Sequence, residues 1–85
     1  MRGVIIIRIH AEVALYPLKT SNASQVINHS INTLQNHRIT YNVGAMDTHI
    51  QGSDDEVWNS LRSLFDDAKQ AGEVSMVVTI TNAAD

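Results

Sequence analysis

A carboxylate and a phenol lie four residues apart near the start of the chain, as Glu12 and Tyr16. The surrounding stretch alternates, so that Val13 and Leu15 point to the opposite side from these two polar side chains. Alternation with period two indicates a β-strand whose two faces meet different surroundings. A carboxylate and a phenol on one strand face can form part of a ligand-binding surface.

Histidine and aspartate side chains raise the question of a metal site. By parity, His10, Asp47 and His49 share one face of the predicted strands, and three such side chains can in principle hold zinc. Their spacing matches no established zinc motif, so we expect no metal site. Other histidines and acidic residues are expected to be solvated or to cap a helix, and not to be catalytic: His29, His37, Asp54, Asp55, Glu56, Asp66 and Asp67.

Strand and helix periods follow one another in the first half of the chain. The first strand is expected to extend back to Val4 and to end at Pro17, because proline cannot donate to a sheet ladder. A polar loop follows, in which Asn22 with Gln25 resembles a capping box. The helix is then expected to run to about residues 36–37. Its apolar stripe consists of Ala23, Val26, Ile27, Ile31 and Leu34.

A hairpin is predicted in the middle of the chain. Residues 39–43 alternate as a second strand, and Gly44 with Ala45 supplies a turn. Residues 46–51 read as a third strand, closed by Gly52. The short spacing between the two strands indicates that they are antiparallel neighbours.

The strongest local signal begins the second helix. Ser53 can cap this helix, and Glu56 three residues later completes a capping box. Gly72 is a natural terminator, and residues 74–81 alternate as a last strand. The buried stripe of the helix is predicted to consist of Val57, Leu61, Leu64, Phe65 and Ala68.

The order of elements predicts an α+β, ferredoxin-like βαββαβ sandwich, as one domain over residues 1–85. The right-handed crossover rule places the strands in the order 4-1-3-2, all antiparallel, with both helices on one face. The helix-covered face is expected to collect Val13, Leu15, Ile39, Tyr41, Val43, Ile50, Met76, Val78 and Ile80. The open face is expected to collect His10, Glu12, Ala14, Tyr16, Asn42, His49, Gln51, Thr79 and Thr81.

Composition excludes several classes of protein. Hydrophobic residues make up 44% of the 85 residues and charged residues 18%, which is typical of a globular chain. The chain has no cysteine, which excludes thiolate chemistry and fits the cytoplasm, where we expect it. A net charge of −3 argues against nucleic-acid binding. The apolar run of residues 4–7 is too short for a signal peptide, and no membrane contact is expected.

Three segments of the sequence resemble the signature segments of the thiamine-binding, YkoF-like family. They are residues 12–18 (EVALYPL), 46–52 (MDTHIQG) and 77–83 (VVTITNA), in the right order and separated by helices of fitting length. The resemblance implies a ferredoxin-like fold, and assembly through the sheets into a homodimer or homotetramer. It also implies thiamine or its hydroxymethylpyrimidine half as the ligand, with no cofactor and no catalysis. Asp47 departs from the small residue often found between that methionine and threonine.

The candidate ligand-binding residues are Glu12, Tyr16, Thr48, His49 and Asn82. Glu12 could pair with a pyrimidine ring nitrogen or exocyclic amine, or bond a neighbouring subunit. Tyr16 could stack on a ring or pack under an oligomer interface. Strict alternation places Thr48 on the helix side, so that a bulge is needed to turn it toward a ligand. Without a bulge, its hydroxyl is expected only to form a hydrogen bond with the backbone. Asn82 could cap the last strand or complete a site in an adjacent subunit.

The leading interpretation is therefore a small-ligand carrier or sensor. The alternative is a structural or regulatory oligomerisation module, whose open face is buried by its copy. An acylphosphatase-like enzyme needs a basic phosphate-binding loop after the first strand. Residues 17–22 contain neither arginine nor a glycine-rich cradle, so no enzymatic activity is expected.

Overall fold

The structure, a computed structural model, describes residues 8–83. Its elements are β1 (Arg8–Pro17), α1 (Ala23–Asn32), a 3-10 turn (Thr33–Asn36), β2 (Ile39–Val43), β3 (Thr48–Ser53), α2 (Asp54–Lys69) and β4 (Val74–Thr81). The four strands form one antiparallel sheet in the order β2-β3-β1-β4. This is the predicted order 4-1-3-2 read from the other edge, and the ferredoxin-like α+β fold is confirmed. The predicted strand extension over residues 4–7 lies outside the described residues.

The core lies between the sheet and the helices. Apolar residues at alternate strand positions meet the stripe of α2 and the 3-10 turn, and burying this apolar surface is the main term that favours folding. The buried cluster consists of Ile9, Ala11, Val13, Leu34, Ile50, Val57, Leu61 and Leu64. Val43 was predicted to join the covered face but is exposed, because it is the last residue of an edge strand.

The two helices begin differently. Ser53 Oγ accepts a hydrogen bond from the Glu56 N–H at 3.4 Å, which confirms the predicted cap of α2. Asn22 makes no side-chain capping bond, so the capping box predicted with Gln25 is wrong. The backbone of Asn22 (φ −113°, ψ 35°) is not extended, whereas an N-cap side chain needs an extended backbone to reach the first turn.

Two predicted boundaries also shift. The α-helical part of the first helix ends at Asn32, and a 3-10 turn continues it to Asn36. The third strand begins at Thr48 and runs through Gly52. Gly52 does not close the strand; it pairs with Ile39 on one side and Ile9 on the other. A Cβ there would meet Ile39 Cγ2 at 3.1 Å, so close packing explains the glycine.

Candidate functional site

A polar row crosses all four strands on the open face of the sheet. Strand register places Asn42 opposite His49, His49 opposite Glu12, and Glu12 opposite Thr79. Glu12 therefore lies on a central strand with polar neighbours on both sides. The same alternation that buries Val13 in the core turns Glu12 to this face.

Glu12, His49 and Asp47 form a compact charged group. His49 Nε2 lies 3.1 Å from Glu12 Oε2 and 3.8 Å from Asp47 Oδ1. The side chains of Glu12, His49 and Asp47 are 50%, 61% and 34% exposed, respectively. Two carboxylates beside one imidazole give this part of the face a negative potential that favours a cationic group.

The turn before β3 brings Asp47 to this group. The Gly44 N–H donates to the Asp47 carbonyl at 2.7 Å and closes the connection between β2 and β3. Asp47 then precedes Thr48, the first residue of β3, and its carboxylate reaches His49. A shallow cleft of about 620 Å³ lies along this turn and the polar row, and is lined by His10, Thr40, Asn42, Asp47, His49 and Gln51 among others.

The five residues predicted to bind ligand do not all meet. Glu12 and His49 are neighbours, whereas Tyr16 lies four residues along β1 from Glu12, about 13 Å at strand spacing. Thr48 is buried on the helix side, as strict alternation predicts, because β1 and β3 pair without a bulge. Asn82 follows β4 at the end away from Tyr16, where it lines a small separate cleft.

The open face has a second, more apolar part. Val77 lies opposite Ala14, and Ser75 lies opposite Tyr16. Tyr16 and Val77 are both more than half exposed. We call Ala14, Tyr16 and Val77 the apolar patch; it adjoins the polar row and is a surface of the kind that a second copy of the chain can cover.

A Ser–His–acid arrangement on the helix side resembles a catalytic triad only superficially. His37 Nε2 lies 2.9 Å from Ser63 Oγ, but His37 Nδ1 is 3.7 Å from Glu56 Oε1, which is too long for a hydrogen bond. Ser63 also lies inside α2, where backbone N–H groups are used in the helix and cannot form an oxyanion hole. The expectation that His37 is solvated is wrong, since its side chain is mostly buried.

Asp67 was also expected to be a solvated charge and is instead a structural group. Its Oδ2 lies 2.8 Å from His29 Nδ1 and accepts a hydrogen bond from the buried Ser30 hydroxyl at 3.0 Å. The His29 hydrogen bond, helped by that of Ser30, holds the pKa of Asp67 below its ordinary value, against the opposing effect of burial. This group ties α2 to α1 and lies apart from the polar row.

The fold and the open polar face define a class, ferredoxin-like α+β proteins with an exposed sheet face. Within that class, residues 11–85 match the family described as thiamine-binding protein, and the chain belongs to that family. No curated protein shows a significant match to the sequence. Within residues 8–83, no helix is long and apolar enough to cross a membrane.

Solved structures similar to this chain come from several organisms. A Streptococcus pneumoniae protein is 25% identical with a TM-score of 0.81, over 87% of this chain and 84% of that one. A hypothetical protein of Methanocaldococcus jannaschii is 21% identical with a TM-score of 0.84, over 94% and 84%. A Thermotoga maritima protein, named as a candidate for thiamine biosynthesis or salvage, is 17% identical with a TM-score of 0.76, over 86% and 81%. Because the last two proteins are only 21% and 17% identical to this chain, their similarity shows a shared fold and no more.

Proposed function

We propose that this protein binds thiamine, or its hydroxymethylpyrimidine half, without catalysis on the polar row of the open sheet face. The observation that carries the proposal is the position of Glu12. Its carboxylate lies on a central strand, half exposed, within hydrogen-bonding distance of His49. Membership of the thiamine-binding protein family supports the same ligand class.

The chemistry of the ligand fits these side chains. An aminopyrimidine offers an exocyclic amine beside a ring nitrogen, and a carboxylate can accept from the amine and from the protonated nitrogen. Charge-assisted bonds of this type are roughly twice as strong as neutral ones. Asp47, whose carboxylate lies beside the same His49 nitrogen as that of Glu12, would favour the cationic thiazolium ring of thiamine electrostatically.

Assembly into a homodimer or homotetramer is part of the proposal. The apolar patch lies on the same face as Glu12, so a second copy seated there would also cover part of the polar row. Covering the row would exclude water and strengthen each polar contact to the ligand. Tyr16, which lies about 13 Å from Glu12 within one chain, would then contribute to the interface or to a neighbouring site.

The direct test is calorimetric titration of the purified protein with thiamine, its phosphates and free hydroxymethylpyrimidine. We expect saturable heat with at least one of these compounds, and a rise in melting temperature at saturation. Absence of heat and of any thermal shift with all of them would refute the proposal.

The apolar patch favours a second candidate function, an oligomerisation module without a small ligand. Light scattering at micromolar concentration tests assembly by itself, and a monomer mass would contradict it. Val77→Asp places a charge in the patch and should shift the mass toward the monomer. Met46→Asp is the matched control, because Met46 is also apolar and exposed (87%, against 57% for Val77) but lies in the turn between β2 and β3.

A further inference from the structure

We propose that Glu12, Asp47 and His49 form a binding site for a divalent transition-metal ion of the zinc type. Each residue offers one ligand atom, and these atoms all lie within 4.8 Å of one another. One imidazole nitrogen and two carboxylate oxygens are ligands that zinc accepts in proteins. Three protein ligands with water in the remaining position are typical of open zinc sites.

The geometry needs only small side-chain adjustments. Ligand atoms around a tetrahedral zinc ion lie about 3.3–3.6 Å apart, given metal–ligand distances of about 2.0–2.2 Å. The imidazole nitrogen lies 3.1 Å from the Glu12 oxygen and 3.8 Å from the Asp47 oxygen. The third separation, between the two carboxylates, is at most 4.8 Å and would close by rotation of the exposed Glu12 and partly buried Asp47 side chains.

The backbone determines the positions of these three residues. Glu12 and His49 are direct partners in the pairing of β1 with β3, and the hydrogen bond from Gly44 holds the turn that carries Asp47. His10, which parity placed beside Asp47 and His49, instead lies opposite Gln51 in the next row. The ligand set therefore contains Glu12 in place of His10.

The donor set also indicates which ions should bind. Imidazole nitrogen suits zinc and its transition-metal neighbours, whereas magnesium and calcium prefer oxygen ligands alone. We expect zinc and cobalt to bind and magnesium to bind far more weakly. The site would use the carboxylate that we assign to thiamine, so the two ligands should compete, but neither proposal depends on the other.

Titration calorimetry with zinc chloride alone, on chelator-treated protein, tests the site. We expect saturable binding of one ion per chain, weakened at least tenfold by His49→Ala and by Asp47→Asn. His29→Ala is the matched control, because His29 is an exposed histidine that also lies beside a carboxylate, that of Asp67. Zinc affinity should be unchanged in this variant.

Cobalt provides a second measurement that does not depend on heat. The visible absorption of bound cobalt reports nitrogen and oxygen ligation, and it should appear in the wild type and disappear in His49→Ala. Circular dichroism checks that each variant is folded. The proposal is overturned if zinc gives no saturable binding, or if the site variants bind as tightly as the wild type. It is also overturned if His10→Ala abolishes binding while Glu12→Gln does not.

Discussion

The two faces of the sheet are formed by the same strands but differ in burial, since one packs against the helices and the other is exposed. Ile50 and His49 are neighbours in β3, yet Ile50 is 1% exposed and the His49 side chain is 61% exposed. Val13 and Glu12 repeat this contrast in β1. The covered face has little freedom, since its side chains are packed against the helices, whereas the open face can carry polar groups at low cost to stability.

The largest predicted effect tests this contrast directly. Ile50→Ala should lower the free energy of unfolding by about 2–5 kcal/mol, because it removes buried methyl groups and leaves a cavity. His49→Ala, one residue away, should change it by no more than about 0.5 kcal/mol. Urea denaturation of both variants measures the two values. Similar losses in both would mean that the open face also supports the fold.

Much of this contrast could be predicted from the sequence, because alternation determines which face a strand residue joins. It correctly placed Ile50 and Val13 in the core, and Glu12 and His49 on the open face. Thr48 likewise lies on the helix side, as alternation indicates. The cap of α2 at Ser53 was also correct, because an N-cap is a local contact of side chain and backbone. The other half of the predicted capping box does not form, since the Glu56 carboxylate instead accepts from the Arg38 N–H at 3.4 Å.

Neighbours across strands were harder to predict than faces. Parity places His10, Glu12 and His49 together on one face, but only the register of β1 against β3 puts Glu12, and not His10, opposite His49. Register depends on turn geometry and on core packing, and neither can be predicted from the sequence of a single strand. The contacts of His29 with Asp67 and of His37 with Ser63 were also missed, because each joins residues far apart in the sequence.

A smaller effect is predicted for a polar group on the helix side. Asp67→Ala should cost about 1–3 kcal/mol, because it leaves the buried Ser30 hydroxyl without its acceptor. Asp66→Ala is the matched control on the preceding residue, which is exposed and pairs with Lys69. Its cost should stay within about 0.5 kcal/mol. Equal costs for the two variants would show that Asp67 is not a structural group.

The stabilisation by Asp67 should also depend on pH. Because the pKa of Asp67 is lowered in the folded state, its contribution is fully present above the ordinary aspartate pKa of 3.8. The contribution is lost as the pH falls from that value through the lower pKa of the folded state. The difference in unfolding free energy between wild type and Asp67→Ala should therefore shrink in this acidic range. A difference that stays constant throughout this acidic range would contradict the assignment.

The most direct test of the ligand assignment is thiamine titration of wild type and Glu12→Gln side by side. The amide keeps the shape of the side chain but loses the charge, so we predict binding weakened about tenfold, or about 1.4 kcal/mol. Light scattering should show an unchanged oligomer. Asp66→Asn, which removes a charge far from the open face, should bind thiamine like the wild type. Normal thiamine affinity in Glu12→Gln, accompanied by dissociation into monomers, would show that Glu12 is an interface residue and contradict its role as ligand anchor.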